Sequence, residues 1–133
     1  MDTGAWAALV MPDDAHHREA TAFFRALGRT RLRTSNYVLS ESYTLLRTRS
    51  DHRTSVRFHR MVGDATKVGL LQVTWVSEAD HAAAWDLFER FEQIPLSHCD
   101  CTTAVLARQH RIDVIFGFDA DFRALGFDLR PAP

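Results

Sequence analysis

The chain has 133 residues, 46% of them apolar and 11% aromatic, enough to fill one core and too much for a disordered chain. Its net charge of −1 excludes a uniformly basic nucleic-acid binder, so attraction for a polyanion has to come from local clusters. No apolar run approaches the ~18 residues of a membrane span, and Met1-Asp2-Thr3-Gly4 lacks the basic stretch of a secretion signal.

One domain over residues 1–133, in the cytoplasm, is therefore expected. In chain order, Asp2 stands at the entrance of a short apolar helix over residues 4–10. Ala20, Phe23, Phe24 and Leu27 recur at helical spacing, and residues 31–35 read as a strand. Residues 37–48 form a second amphipathic helix with Val38, Leu39, Ser42, Leu45 and Leu46 inward, followed by a weaker helix over residues 51–64. A strand is expected over residues 68–76, then a helix carrying Ala84, Leu87, Phe88 and Phe91, a helix over residues 100–111, and a buried strand over residues 114–118. A short helix over residues 120–125 and an extended piece over residues 127–130 close the domain. No linker or repeat interrupts this order, and strands alternating with helices predict an α/β domain with a parallel sheet covered on both faces.

Most acidic residues lie where solvated charge is expected, and four do not. Glu41 follows Val38 by three residues and precedes Leu45 by four, which places it on or beside the buried stripe of its helix. Asp100 opens a helix whose next-turn neighbours are Ala104 and Ala107, a context that fits either a cap or a ligand. Asp119 follows the apolar run 114–118, at the carboxyl end of a parallel strand where open α/β sheets bind ligands, although a turn would also use an aspartate there. Asp2 by itself reads as an ordinary helix cap. Gathered at neighbouring strand ends, four carboxylates would repel one another unless a hard cation such as Mg²⁺ or Mn²⁺ were bound.

Other chemistry-bearing residues divide less clearly. Arginines cluster at Arg25, Arg29, Arg31 and Arg33 and again at Arg47, Arg49, Arg53, Arg57 and Arg60, either as phosphate contacts or as a solvated helix face. Cys99 and Cys101, one residue apart, suit neither an ordinary disulfide nor a zinc site and read as small buried side chains. Among seven histidines, His17 reads as a packing residue and His98, two residues from Asp100, as a neighbour of the site.

The ordered set Asp2-Thr3 with Ala7-Ala8-Leu9, His17-Arg18-Glu19-Ala20, Thr34-Ser35 with Val38-Leu39 and Glu41, Leu96-Ser97 with Asp100, and Phe116-Gly117-Phe118-Asp119-Ala120-Asp121-Phe122 resembles the PIN domain along the whole chain, and within that family the VapC-type toxins. The resemblance implies a three-layer α/β/α PIN-like fold with a central, mainly parallel sheet whose first strand is truncated here, only Met1 standing before Asp2. It leaves the two neighbouring strands without a ladder partner and leads us to expect that the functional start lies upstream, or that a tag or another chain fills the gap. It also sets Gly117 where the family usually has Thr or Ser, removing a hydroxyl that would orient a carboxylate or water.

The same resemblance implies a Mg²⁺- or Mn²⁺-dependent endoribonuclease, the toxin of a toxin–antitoxin pair. Asp2, Glu41, Asp100 and Asp119 would be both catalytic residues and metal ligands, with Asp121 a spare ligand or a helix-entry charge. Implied partners are an RNA substrate, cut to leave 5′-phosphate and 3′-hydroxyl ends, a second copy in a homodimer, and an antitoxin whose tail covers the groove. Trp6, Phe58 and Met61 would line such interfaces or fill the core. The rival readings are a PIN-like module that binds RNA or protein after losing its catalysis, and a metal-dependent phosphohydrolase or DNA nuclease.

Overall fold

The computed structural model describes residues 1–132. In chain order it contains α1 (Thr3–Val10), α2 (His17–Leu27), β1 (Leu32–Ser35), α3 (Asn36–Arg49), α4 (His52–Lys67), β2 (Leu71–Thr74), α5 (Glu78–Arg90), α6 (His98–Gln109), β3 (Val114–Phe116), α7 (Asp121–Ala124) and β4 (Asp128–Arg130). Every expected element is present. Two differ in extent for a local reason: Val68 closes α4 and Gly69 turns the chain at φ 76°, so β2 is shorter than residues 68–76 and α4 longer than residues 51–64.

The sheet departs most from expectation. All its pairs are parallel, but it is split into two halves, β1 with β2 and β3 with β4. Between them runs a cleft of about 400 Å³, lined by Phe23, Leu27, Arg33, Leu106, Val114 and Phe116 among others. Parallel ladders alternate the direction of their amides. Leu32 N–H donates to Leu70 O across to β2, so Arg33 faces the cleft; Asp128 N–H donates to Asp113 O and Gly117 N–H to Arg130 O across to β4, so Val114 and Phe116 face it too.

Among the described residues, Met1 and Asp2 reach across from one half to the other with their backbone. The Met1 amino group donates to Arg33 O at 2.6 Å, Asp2 N–H donates to Phe116 O at 3.0 Å, and Thr34 Oγ1 donates to Met1 O at 3.2 Å. The first two are bonds of the kind a central parallel strand makes to its two neighbours, and the third is a side-chain bond beside them. The same alternation turns the amides of Arg33, Val114 and Phe116 toward the cleft, away from β2 and β4.

Three apolar clusters hold the helices on this divided frame. Trp6, Val38, Leu46 and Phe58 bind α1, α3 and α4 to β1 and β2. Ala104, Ile115, Phe122 and Leu129 bind α5, α6 and α7 to β3 and β4. Ala5, Ala8, Ala20 and Phe116 bring α1 and α2 against β3. Trp6 and Phe58 are thus core, packed edge to face at 5.2 Å, and of the three residues offered as interface candidates only Met61 is exposed. His17 Nδ1 lies 2.7 Å from Ala8 O and ties α2 to α1, the packing role expected of it. No helix among the described residues is long and apolar enough to cross a membrane.

Candidate active site

The carboxyl ends of β1 and β3 and the amino ends of α1 and α6 meet at one edge of the molecule. Asp2 occupies the N-cap position of α1 in an extended conformation, yet its side chain makes no capping bond. Its carboxylate is 5% exposed, and Oδ1 has no hydrogen-bond partner. A buried carboxylate oxygen without a donor is costly, and burial, followed by the charge of Asp100, raises the Asp2 pKa to about 6. The backbone of Thr3 and the terminal amino group pull it down and Glu41 pushes it up by lesser amounts.

Glu41 stands beside the buried stripe of α3, as its spacing predicted. Val38, Leu39, Ser42 and Leu46 are buried, while Glu41 itself is exposed and accepts a short hydrogen bond from Thr3 Oγ1. Thr3 is buried, so α1 supplies both Asp2 and the group that orients Glu41.

Asp100 combines its two readings. It is the third residue of α6, where its Oδ2 accepts from Ser97 N–H at 2.7 Å and its own N–H donates to Ser97 Oγ at 3.1 Å. This reciprocal capping box fixes one oxygen and leaves Oδ1 available. Burial raises the Asp100 pKa, the Ser97 bonds oppose the rise, and Asp119 and Glu41 add to it. Asp100 is therefore the electrostatic hub, coupled to each of the other three carboxylates.

Asp119 is exposed, just beyond β3, and its Oδ1 accepts from Asp121 N–H at 2.9 Å. The turn reading and the site reading again coexist. Asp121 opens α7, the helix-entry position expected of it.

Cys101 is buried as expected. Cys99 differs: it is half-buried, borders Glu41, and has its thiol pKa pushed up by burial and by Glu41, Asp2 and Asp100. It is a protonated thiol at neutral pH, unsuited to nucleophilic or thiolate chemistry. Thr3, Ser97 and Cys99 are the neighbours that sequence reasoning did not assign to the site. The Ser-x-x-Asp spacing of a capping box was the one signal available for Ser97.

An open groove of about 720 Å³ leads away from Glu41 along α3, lined by Tyr37, Ser40, Thr44, Thr48, Arg49 and His98 among others. The ion pairs among the described residues are His16–Glu19 and Arg130–Asp128. Arg47, Arg49, Arg53, Arg57 and Arg60 therefore have no carboxylate within ion-pair distance and leave a basic surface on α3 and α4, with Arg49 in the groove itself. A polyanion could lie along this surface and reach the carboxylates.

The PIN domain model matches residues 1–128. The chain belongs to the PIN-domain family. Within it, the 23S rRNA-specific endonuclease VapC20 of Mycobacterium tuberculosis, known from strains H37Rv and CDC 1551, is 32% identical over 133 residues, covering 98% of this chain and 97% of that protein. The crystal structure of Mycobacterium tuberculosis VapC20, described as a sarcin-ricin loop cleaving toxin, superposes with a TM-score of 0.84 at 31% identity, over 95% of this chain and 93% of that one. This PIN-domain chain is thus of the VapC type, and its fold agrees with a relative similar to it from end to end.

Proposed function

We propose that this PIN domain, residues 1–133, is a metal-dependent endoribonuclease and the toxin of a toxin–antitoxin pair. The carrying observation is the gathering of four carboxylates at one edge, one of them, Asp2, buried with an oxygen that has no hydrogen-bond partner. The donor set suits Mg²⁺ or Mn²⁺: all oxygen, mutually repulsive, and relieved of its desolvation cost by a cation. Among the described residues no three carboxylate, histidine or cysteine groups converge into a ready metal cage, so binding would draw Glu41 and Asp119, both exposed, toward Asp2 and Asp100.

Asp2, Glu41, Asp100 and Asp119 would hold the ion, which when bound makes water more acidic and neutralises charge developing on phosphate. Thr3 holds Glu41 through its Oε2, leaving Oε1 to take a proton from attacking water. Ser97 fixes one Asp100 oxygen at the start of α6. The arginines of α3 and α4 contact the phosphate chain where it leads away from the carboxylates. The relative's ribosomal RNA specificity supports a structured RNA as substrate, and the same kinship supports a homodimer, a cognate antitoxin over the groove, and action in the cytoplasm.

Cleavage of RNA and DNA of mixed sequence with Mg²⁺, Mn²⁺ or chelator, by the parent and by Asp100→Asn, tests this reading. Metal-dependent cleavage of RNA that Asp100→Asn abolishes is expected. Cleavage in chelator, or full activity of the variant, would refute it, and inertness toward every substrate would favour a decayed binding module.

A further inference from the structure

Tyr37 of α3 and His98 of α6, which line the groove, form one aromatic cluster with His81 and Trp85 of α5. Trp85 Nε1–H donates to His81 Nε2 at 3.2 Å, so that nitrogen is unprotonated. Neutral His81 then carries its proton on Nδ1, 2.8 Å from the Tyr37 hydroxyl, which accepts it and keeps its own O–H free to donate. His98 Nε2 donates to His81 O at 3.3 Å. Edge-to-face and tilted contacts complete the unit, with ring centres 4.6 Å apart for His81 and His98 and 4.8 Å apart for Trp85 and His98.

The polar atoms of the cluster are largely spent on one another, while its rings stay open: Trp85 is 44% exposed, and Tyr37 and His98 are half-buried. Tyr37 and His98 line the same groove as Glu41 and Arg49. Rings held by their own hydrogen bonds in a groove that also presents Arg49 supply what an unpaired nucleobase requires, a fixed π-face with a phosphate contact alongside.

We infer that Tyr37 and His98 form a stacking platform for one unpaired base of the RNA, held in place by His81 and Trp85. This rests on the nuclease reading and adds to it a determinant of substrate choice: an RNA loop that presents an unstacked base is bound, and a continuous duplex is not. RNA is favoured over a protein partner because the platform is continuous with the groove that contains the carboxylate Glu41 and the unpaired Arg49.

Steady-state cleavage of a short RNA hairpin with an unpaired loop provides the test. Tyr37→Ala and His98→Ala should each raise KM by about 5- to 100-fold, the scale of one base–aromatic stack, with kcat changed less than about 3-fold. Tyr37→Phe and His98→Phe, which keep a ring, should stay within about 3-fold of the parent KM. On hairpins made abasic at one loop position at a time, one position should raise the parent KM to that of His98→Ala, and His98→Ala should lose nothing further there.

A parent KM in both Ala variants overturns the platform. So does a loss shared by the Phe variants, equal at every abasic position and accompanied by a lowered melting temperature, since that describes a staple between helices. An unchanged KM with a shift from dimer to monomer in sedimentation would assign the rings to a subunit contact instead. Failure of the parent to cleave any RNA sinks the nuclease reading first, which separates the two failures.

Discussion

The carboxylate of Asp2 packs directly against Gly117: a Cβ built on Gly117 would lie 3.2 Å from Asp2 Cβ and 3.4 Å from Asp2 Oδ2. A side chain at this position would have to share this edge of β3 with the buried carboxylate. Gly117→Ala should crowd Asp2 and cost about 1 kcal/mol or more of stability, as overpacking does. Gly117→Ser adds the same Cβ together with a hydroxyl that can donate to the carboxylate, and should recover about 1 kcal/mol relative to Ala. Urea unfolding of the two variants checks this, and an alanine variant as stable as the serine variant would show that the carboxylate gains nothing from the added hydroxyl.

Asp2 and the Met1 amino group give the fold an unusual pH dependence. The Asp2 pKa rises from 3.8 to about 6 through burial and then Asp100, so between those values the native state binds more protons than the unfolded chain and stability falls as pH rises. The Met1 amino group moves from 8.0 to about 6 through burial, so between pH 6 and 8 the unfolded chain binds more protons and stability rises with pH. Together they predict a minimum near pH 6 in chelator, the Asp2 limb worth at most about 3 kcal/mol. Urea unfolding from pH 4 to 8 should show the dip, Asp2→Asn should remove its acid limb, and a monotonic profile in the parent would contradict it.

The fold was legible where its signals are short-range. The stripes of α3 and α5 and the apolar run before Asp119 declared themselves through periodicity, and Asp100 and Asp119 were visible because each sits at an element boundary. What stayed hidden depends on chain segments meeting from afar. Thr3 finds Glu41 across 38 residues, and Tyr37 finds His81 across 44, distances at which no spacing rule operates. Asp2 looked like a plain cap because its neighbours in sequence allow one; only its burial and the absence of a capping bond separate it from the many aspartates that cap helices.

Asp100 serves helix and site at once, and two substitutions separate these roles. Ser97→Ala removes the hydroxyl that accepts from Asp100 N–H and should cost about 1 kcal/mol of stability, the usual value of an N-cap, while leaving all four carboxylates charged. Asp100→Asn keeps an oxygen that can accept from Ser97 N–H but removes the charge at the hub. It should lower RNA cleavage by about 100-fold or more with a smaller loss of stability than Ser97→Ala. Thermal melts and cleavage rates measured on both proteins decide the matter, and a cleavage loss that merely tracks the melting temperature would reduce Asp100 to a cap.

The cleft between β1 and β3 is open to a further strand. A strand entering the cleft parallel to β1 and β3 and continuing into Met1 would receive the amides of Arg33, Val114 and Phe116, since its carbonyls would alternate between the two edges. It would also turn the buried Met1 amino group, whose charge is disfavoured there, into an ordinary peptide N–H bonded to Arg33 O. Four apolar, β-branched residues placed before Met1 should therefore stabilise the fold by at least about 2 kcal/mol, a few ladder bonds net of ordering. They should slow amide exchange at those three positions and remove the rise in stability between pH 6 and 8. Four Gly/Ser residues in the same place lack the side chains to fill the cleft beside Phe23, Leu27 and Leu106 and should give less than half the gain. Equal stability for the two extensions would show that the cleft does not accept a strand.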